Sequence, residues 1–385
     1  MKFFMFAFIK LLSIFYFCGQ IILYFIGCSQ FSGTPAVKMA GYQTAFEWYC
    51  REEKGIRGVT IGIIEDKRGS INSYGSKEYD WALEEIKDTG ANWVALTPYG
   101  TMISCNDTKV FSFFELPSEE SERMLVTGIR HAKEAGFKVM IAPHIYPWDW
   151  CWRGEINPGG GEFENEKGWN DWFDSYGAYL NHIAKISARE GVEMLSVGVE
   201  FKSASNKFGY RFSKIISDIR EIFPGRLTYS ANWDEVKDVT FWSDLDFIGV
   251  NAFYPMSDSG SSSPDEIYEK ALNIAEELKE ISLIYNKPVI FTEIGFKALR
   301  GSLKEPWIWP EYVTSPVIDD DIQALLFDTV FSVFWTKEWF AGLFIWRYMA
   351  DPSDYSQEPP WGYLVRLKPA EKVIKNWFIC GNTHL

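Results

Sequence analysis

Two short runs each arrive at a single glutamate: Ser196-Val197-Gly198-Val199-Glu200 and Phe291-Thr292-Glu293. An apolar run that closes on a carboxyl group needs a reason, because a buried charge costs free energy unless it is paired or put to use. Two such groups brought face to face can cleave an acetal. One protonates the leaving oxygen while the other attacks the anomeric carbon, and a retaining pair stands roughly 5–5.5 Å apart. The acid must hold its proton and the nucleophile must be ionised, so their surroundings must differ. A glutamate at a strand end that merely pairs with Arg or Lys is the plain alternative.

The elements that position these glutamates follow from hydrophobic pattern. Short apolar runs, as expected of buried parallel strands, occupy 56–62, 92–99, 138–146, 194–201, 227–233, 247–254, 288–296 and 342–348. Helical stripes lie between them. Ile267, Ala271, Ile274, Leu278 and Ile281 recur at steps of four and three, after Ser263-Pro264 as cap and first turn. Trp169, Trp172, Phe173, Tyr176, Leu180 and Ile183 form a second stripe, and Phe212, Ile215, Ile216 and Ile219 a third. Ile322, Leu325, Leu326, Val330 and Val333 form another; Leu125, Ile129 and Ala132 end at Gly136, and Trp81 to Ile86 ends at Gly90. The alternation predicts an α/β chain: a single (β/α)8 TIM barrel over 56–385 with a closing C-terminal helix. An open doubly wound sheet is the alternative, but Gly62-Ile63-Ile64-Glu65 lacks its Gly-rich nucleotide turn.

Barrel active sites lie at the C-terminal strand ends. Asn251 and Tyr254 end the sixth run, and Tyr254 either donates a hydrogen bond to Glu293 or packs in its loop. Asn232 and Trp233 end the fifth run and His144 the third, as sugar contacts; a satisfied structural histidine is the alternative. The loop Trp148-Asp149-Trp150-Cys151-Trp152-Arg153 reads as a cleft wall for further sugars, with Trp152 and Arg153 nearest the site. Trp307-Ile308-Trp309 reads similarly. Ligand-spaced His, HExxH and a phosphate loop are missing, so no metal or other cofactor is expected.

The net charge of −14 excludes a phosphate backbone as partner, though not a neutral polymer. Residues 1–28 form an apolar segment with Lys2, Lys10 and no acid, which reads as a signal peptide, a lipoprotein leader or an anchor helix. Phe25-Ile26-Gly27-Cys28-Ser29 approximates a lipobox, with Cys28 as the lipidated residue. Each reading implies export, either secreted or membrane-anchored, with residues 29–55 as a lead-in. Cys50, Cys105, Cys151 and Cys380 fit no zinc spacing. Cys105 and Cys151 would follow barrel strands and could bridge two loops, or remain thiols. A monomer is expected.

Glutamates on strands four and seven are the pattern of glycoside hydrolase clan A. The chain more specifically resembles glycoside hydrolase family 113, the β-mannanase-type barrels, from about Gly58 to Trp377. The stretches carrying this are 90–96, Trp152-Arg153-Gly154, Val197-Gly198-Val199-Glu200, 228–235, 241–250 and 288–296. The resemblance implies Glu200 as acid/base, Glu293 as nucleophile and Trp346 beneath the reacting sugar. Val199 stands where clan A enzymes commonly carry Asn, a departure shared by family 113. The implied activity is retaining hydrolysis of β-linked mannose-containing poly- or oligosaccharides. The alternatives are another hexosan such as β-glucan, or a surface lipoprotein that binds glycans without cleaving them.

Overall fold

The computed structural model describes residues 55–62, 73–112, 118–161, 165–351 and 358–380. The 1–28 leader, Cys28 and the lead-in up to residue 54 lie outside them.

Eight strands close a barrel: β1 (Ile56–Ile61), β2 (Trp93–Leu96), β3 (Lys138–Ile141), β4 (Met194–Val199), β5 (Arg226–Asn232), β6 (Ile248–Asn251), β7 (Val289–Ile294) and β8 (Phe340–Tyr348). They follow one another round the ring in chain order, and β8 returns to β1. Every pairing is parallel. The strands read as unbroken apolar runs because both faces are covered. Ile56, Trp93, Met140, Met194, Ile290 and Phe344 belong to one buried cluster that links strands right across the barrel.

Helices α1 (Lys77–Asp88), α2 (Ser118–Glu134), α3 (Glu166–Arg189), α4 (Gly209–Arg220), α5 (Pro264–Tyr285), α6 (Asp320–Phe334) and α7 (Pro369–Cys380) complete the chain order. The expected stripe of α5 is buried in full, and Ser263 and Glu266 cap it reciprocally. The stripe of α3 is likewise buried, as is that of α4. On α6, Leu326, Val330 and Val333 are buried with Phe327, Phe331 and Phe334, while Ile322 and Leu325 are half-exposed. Gly90 and Gly136 follow α1 and α2 at φ 87° and 91°, where a β-carbon would be strained. Between β5 and β6 only one 3-10 turn forms, Trp242–Asp244.

Two of the expected strands are cut short at prolines. The 92–99 run stops at Leu96 and the 138–146 run at Ile141. Pro98 and Pro143 fall in the breaks, and a proline has no N–H to give to a ladder. The chain then leaves the barrel. Tyr99–Met102 pairs in parallel with His144–Pro147 and antiparallel with Phe111–Ser112, forming a small sheet apart from the ring. His144 therefore opens a strand of this sheet rather than ending β3.

Cys105 and Cys151 are joined by a disulfide, so the free-thiol alternative does not hold for them. Asp149 reinforces the link by accepting the N–H of Cys105 at 3.3 Å and of Cys151 at 3.2 Å. Together they brace the aromatic loop after His144–Pro147. Trp150 is held there at φ 60° and 82% exposed.

Candidate active site

Glu200 directly follows β4 and has φ 57°. That left-handed conformation costs a residue bearing a β-carbon about 1 kcal/mol or more. Surrounding contacts hold it there. The N–H of Glu200 donates to Ser230 O at 2.9 Å, and the N–H of Phe201 donates to the Tyr229 hydroxyl at 2.8 Å. The Phe201 ring is buried against Trp172 and Tyr176. The half-exposed carboxyl then accepts from Trp152 Nε1 at 3.2 Å on Oε2 and from Asn251 Nδ2 at 2.9 Å on Oε1.

Glu293 lies within β7 and is buried. Asn251, at the end of the adjacent β6, is the in-register neighbour of Glu293 and hydrogen-bonds the carboxyl of Glu200. Thr292 Oγ1 donates to Asn251 Oδ1 at 2.9 Å, which turns the amide N–H₂ toward the acids. Asn251 thus stands beside Glu293 while it donates to Glu200, which brings both acids to the same side of the barrel mouth.

His144 reaches the same point from the small sheet. Its Nδ1 contacts Ala142 O at 2.9 Å and its Nε2 meets Glu293 Oε1 at 3.1 Å. A carbonyl only accepts, so Nδ1 carries a proton, and the Glu293 contact needs one proton between Nε2 and the carboxyl. Burial, followed by the charge of Arg153, pushes the imidazole down to about 3. Burial pushes the Glu293 carboxyl up to about 7, against Arg153, the Asn251 amide and Arg347, which pull it down. Both directions favour the proton on Glu293 over His144 Nε2.

Two guanidiniums face this pocket. Arg153 lies over the Tyr146 ring at 5.0 Å, and its buried Nη1 has no hydrogen-bond partner among the described residues. Arg347 lies 5.2 Å from the Trp346 ring centroid and is paired with buried Glu358. The peptide between Trp346 and Arg347 is cis. Trp346 packs with Phe253 and Tyr363, and Trp233 and Trp309 border that cluster. Trp233 in turn stacks on Trp307 at 5.4 Å. Aromatic walls thus rise from the loops after β5 and β7 and from the Trp152 loop.

Most of the expected site residues converge: Glu200, Glu293, His144, Trp152, Arg153, Asn251, Trp233 and Trp346. Asn232 is nearby, but its amide is committed to Asp234 at 2.8 Å. Tyr254 does not take the expected role. No hydrogen bond joins it to Glu293 among the described residues. It sits three residues past the end of β6, where its ring lines an apolar gap with Ala271, Ile274, Phe291 and Val330. His144 makes the contact with Glu293 in its place. Arg347 and Glu358 were not among the expected site residues. A signal was present: a charged residue inside the apolar run Phe344-Ile345-Trp346-Arg347-Tyr348 demands a buried partner.

Glu235 was also without a role. It is fully buried, and burial pushes its carboxyl up to about 8. The ordinary value for Glu235 and Glu293 is 4.5. Between that value and about 7 to 8 the folded chain keeps protons that the unfolded chain has released. Stability therefore falls as pH rises across this window. Thermal melts taken from pH 5 to 9 are expected to show that decline, and Glu235→Gln is expected to flatten it. A melting temperature that climbs through the window would contradict the protonated state of both groups.

A (β/α)8 barrel with two carboxyl groups at the ends of separate strands, gathered about Asn251, has the architecture of a glycoside hydrolase. The family model described as Glycoside Hydrolase Family 113 matches residues 62–360. The chain belongs to that family. Among solved structures, a GH113 β-1,4-mannanase in a complex matches with TM-score 0.70 and 25% identity, over 84% of this chain and 98% of its own. A GH113 β-mannanase from Alicyclobacillus acidocaldarius, in complex with ManMIm, matches with TM-score 0.71 and 25% identity, over 84% and 97%. A family 5 mannosidase from Rhizomucor miehei shares the fold at TM-score 0.57 and 12% identity, over 84% and 92%. No curated protein sequence matches the chain.

Proposed function

We propose that this glycoside hydrolase cleaves β-linked mannose-containing poly- or oligosaccharides by double displacement with retention. The observation that carries the mechanism is Asn251, which donates to Glu200 and is the in-register neighbour of Glu293; it supports the close spacing a retaining pair needs. Glu293 is the nucleophile in this reading. It is buried, and the charges of Arg153 and Arg347 favour its ionised form as the substrate displaces water. Glu200 is the acid/base. It is the more open of the two, as a group that must activate water in the second step has to be. Trp152 and Asn251 orient it. Trp346 forms the floor beneath the reacting sugar, and the free N–H of Arg153 is a donor for a sugar oxygen. Trp233 and Trp307 offer flat faces to neighbouring sugar rings.

The mannose preference rests on the two family members 25% identical to this chain, both β-mannanases. The test is reducing-sugar release from β-mannan, glucomannan, cellulose and xylan. Release from mannan and glucomannan is the expected result. Release from cellulose alone would move the substrate to glucan, and none from any of them would leave a glycan-binding protein. We further propose that the 1–28 segment exports the chain, with Cys28 as its lipid attachment point. Palmitate labelling of the wild type but not of Cys28→Ser checks this.

A further inference from the structure

We infer that Glu235 is a positioning residue: through Tyr229 it holds the turn on which Glu200 stands. The inference rests on the acid/base reading of Glu200 proposed above.

Glu235 follows β5 in the polar stretch Asn232-Trp233-Asp234-Glu235, yet it is completely buried. Its Oε1 accepts the N–H of Asn232 at 2.8 Å and the hydroxyl of Tyr229 at 3.2 Å. Its Oε2 shares a hydrogen bond with the hydroxyl of Ser205 at 2.9 Å. The Tyr229 hydroxyl in turn accepts the N–H of Phe201 at 2.8 Å, the residue directly after Glu200. The Tyr229 ring also touches the approach to Glu200, since a β-carbon on Gly198 would lie 2.9 Å from it. Ser205 belongs to the short helix Lys202–Lys207, and its N–H donates to Phe201 O at 2.7 Å. Hydrogen bonds from a single carboxyl thus reach both sides of Phe201.

No Lys, Arg or His pairs with Glu235 among the described residues. A buried acid without a counter-charge is costly, and an apolar side chain would fill the same space more cheaply. What an apolar side chain could not do is satisfy Asn232, Tyr229 and Ser205 together. If Tyr229 lost that anchor, the Phe201 N–H would lose its fixed acceptor. Glu200, already in an unfavourable conformation, would then be free to leave it.

The test separates acid positioning from general damage by varying the leaving group. General acid help is worth about 10²–10⁴ with a poor leaving group and little with a good one. The value of kcat/KM is measured on a manno-oligosaccharide and on 2,4-dinitrophenyl β-mannoside. Tyr229→Phe and Glu235→Ala are expected to lose at least about tenfold more on the first than on the second. Glu235→Gln is expected to recover most of the Ala loss, because its oxygen accepts from Asn232 and Tyr229 while its amide donates to Ser205. Equal losses on both substrates, or no recovery with Gln, would overturn the inference. Glu200→Ala sets the scale. If it shows the selectivity and Tyr229→Phe does not, this inference alone fails. If Glu200→Ala lacks it, the acid assignment falls and takes this inference with it.

Discussion

Glu293→Ala is expected to lower turnover on manno-oligosaccharides by several orders of magnitude, and Glu200→Ala nearly as far. Groups that act as a unit in one transition state cannot be removed singly without losing most of the effect. The two variants should part company when azide is added. In Glu293→Ala, azide fits the space left by the carboxylate and displaces the leaving group in one step. The product is a glycosyl azide of inverted configuration. In Glu200→Ala the first displacement still occurs on substrates with good leaving groups. Azide then intercepts the covalent intermediate and gives a product of retained configuration. The measurement is the anomeric configuration of each azide product by proton NMR. Opposite stereochemistry in the two variants would exchange the roles of the residues, and undiminished activity in either would remove it from the mechanism.

The second large effect is on stability. Arg347 and Glu358 form a buried pair, with Nε 3.1 Å and Nη2 3.0 Å from Glu358 Oε2. Glu358 also accepts the Leu364 N–H at 2.9 Å. Removing one member leaves the other charged and desolvated, which costs about 3–5 kcal/mol. Glu358→Ala is therefore expected to unfold at markedly lower urea than the wild type, with Glu358→Gln between them. Arg347 also lies beside Trp346 and pulls the Glu293 carboxyl down, so the damage should extend to catalysis. A Glu358→Ala chain that is as stable as the wild type would show that Arg347 finds another partner.

Much of this was legible before any coordinates. The eight barrel strands read clearly because buried parallel strands are apolar on both faces, and the main helices because their buried faces repeat every three to four residues. Glu200 and Glu293 stood out as acids at the ends of such runs. Other features depended on geometry that spacing does not carry. The Pro98 and Pro143 breaks hid inside continuous apolar runs, so the small sheet was missed and His144 was placed on the wrong element. Tyr254 kept two readings, a bond to Glu293 or packing in its loop, because the direction of a side chain is undefined once the ladder has ended; it packs. Glu235 drew no role of its own, since acidic residues after a strand are usually solvated; it is buried against Tyr229 and the short helix that carries Ser205. Arg347 could have been found, because its run had no other polar residue to meet it.

The left-handed backbone at residue 200 has one more implication. Glycine takes φ near +57° without penalty, so a barrel shaped for endurance alone would carry glycine there. A glutamate in that place marks where folding preference yields to reactivity, and a thermostability screen blind to turnover would select against it.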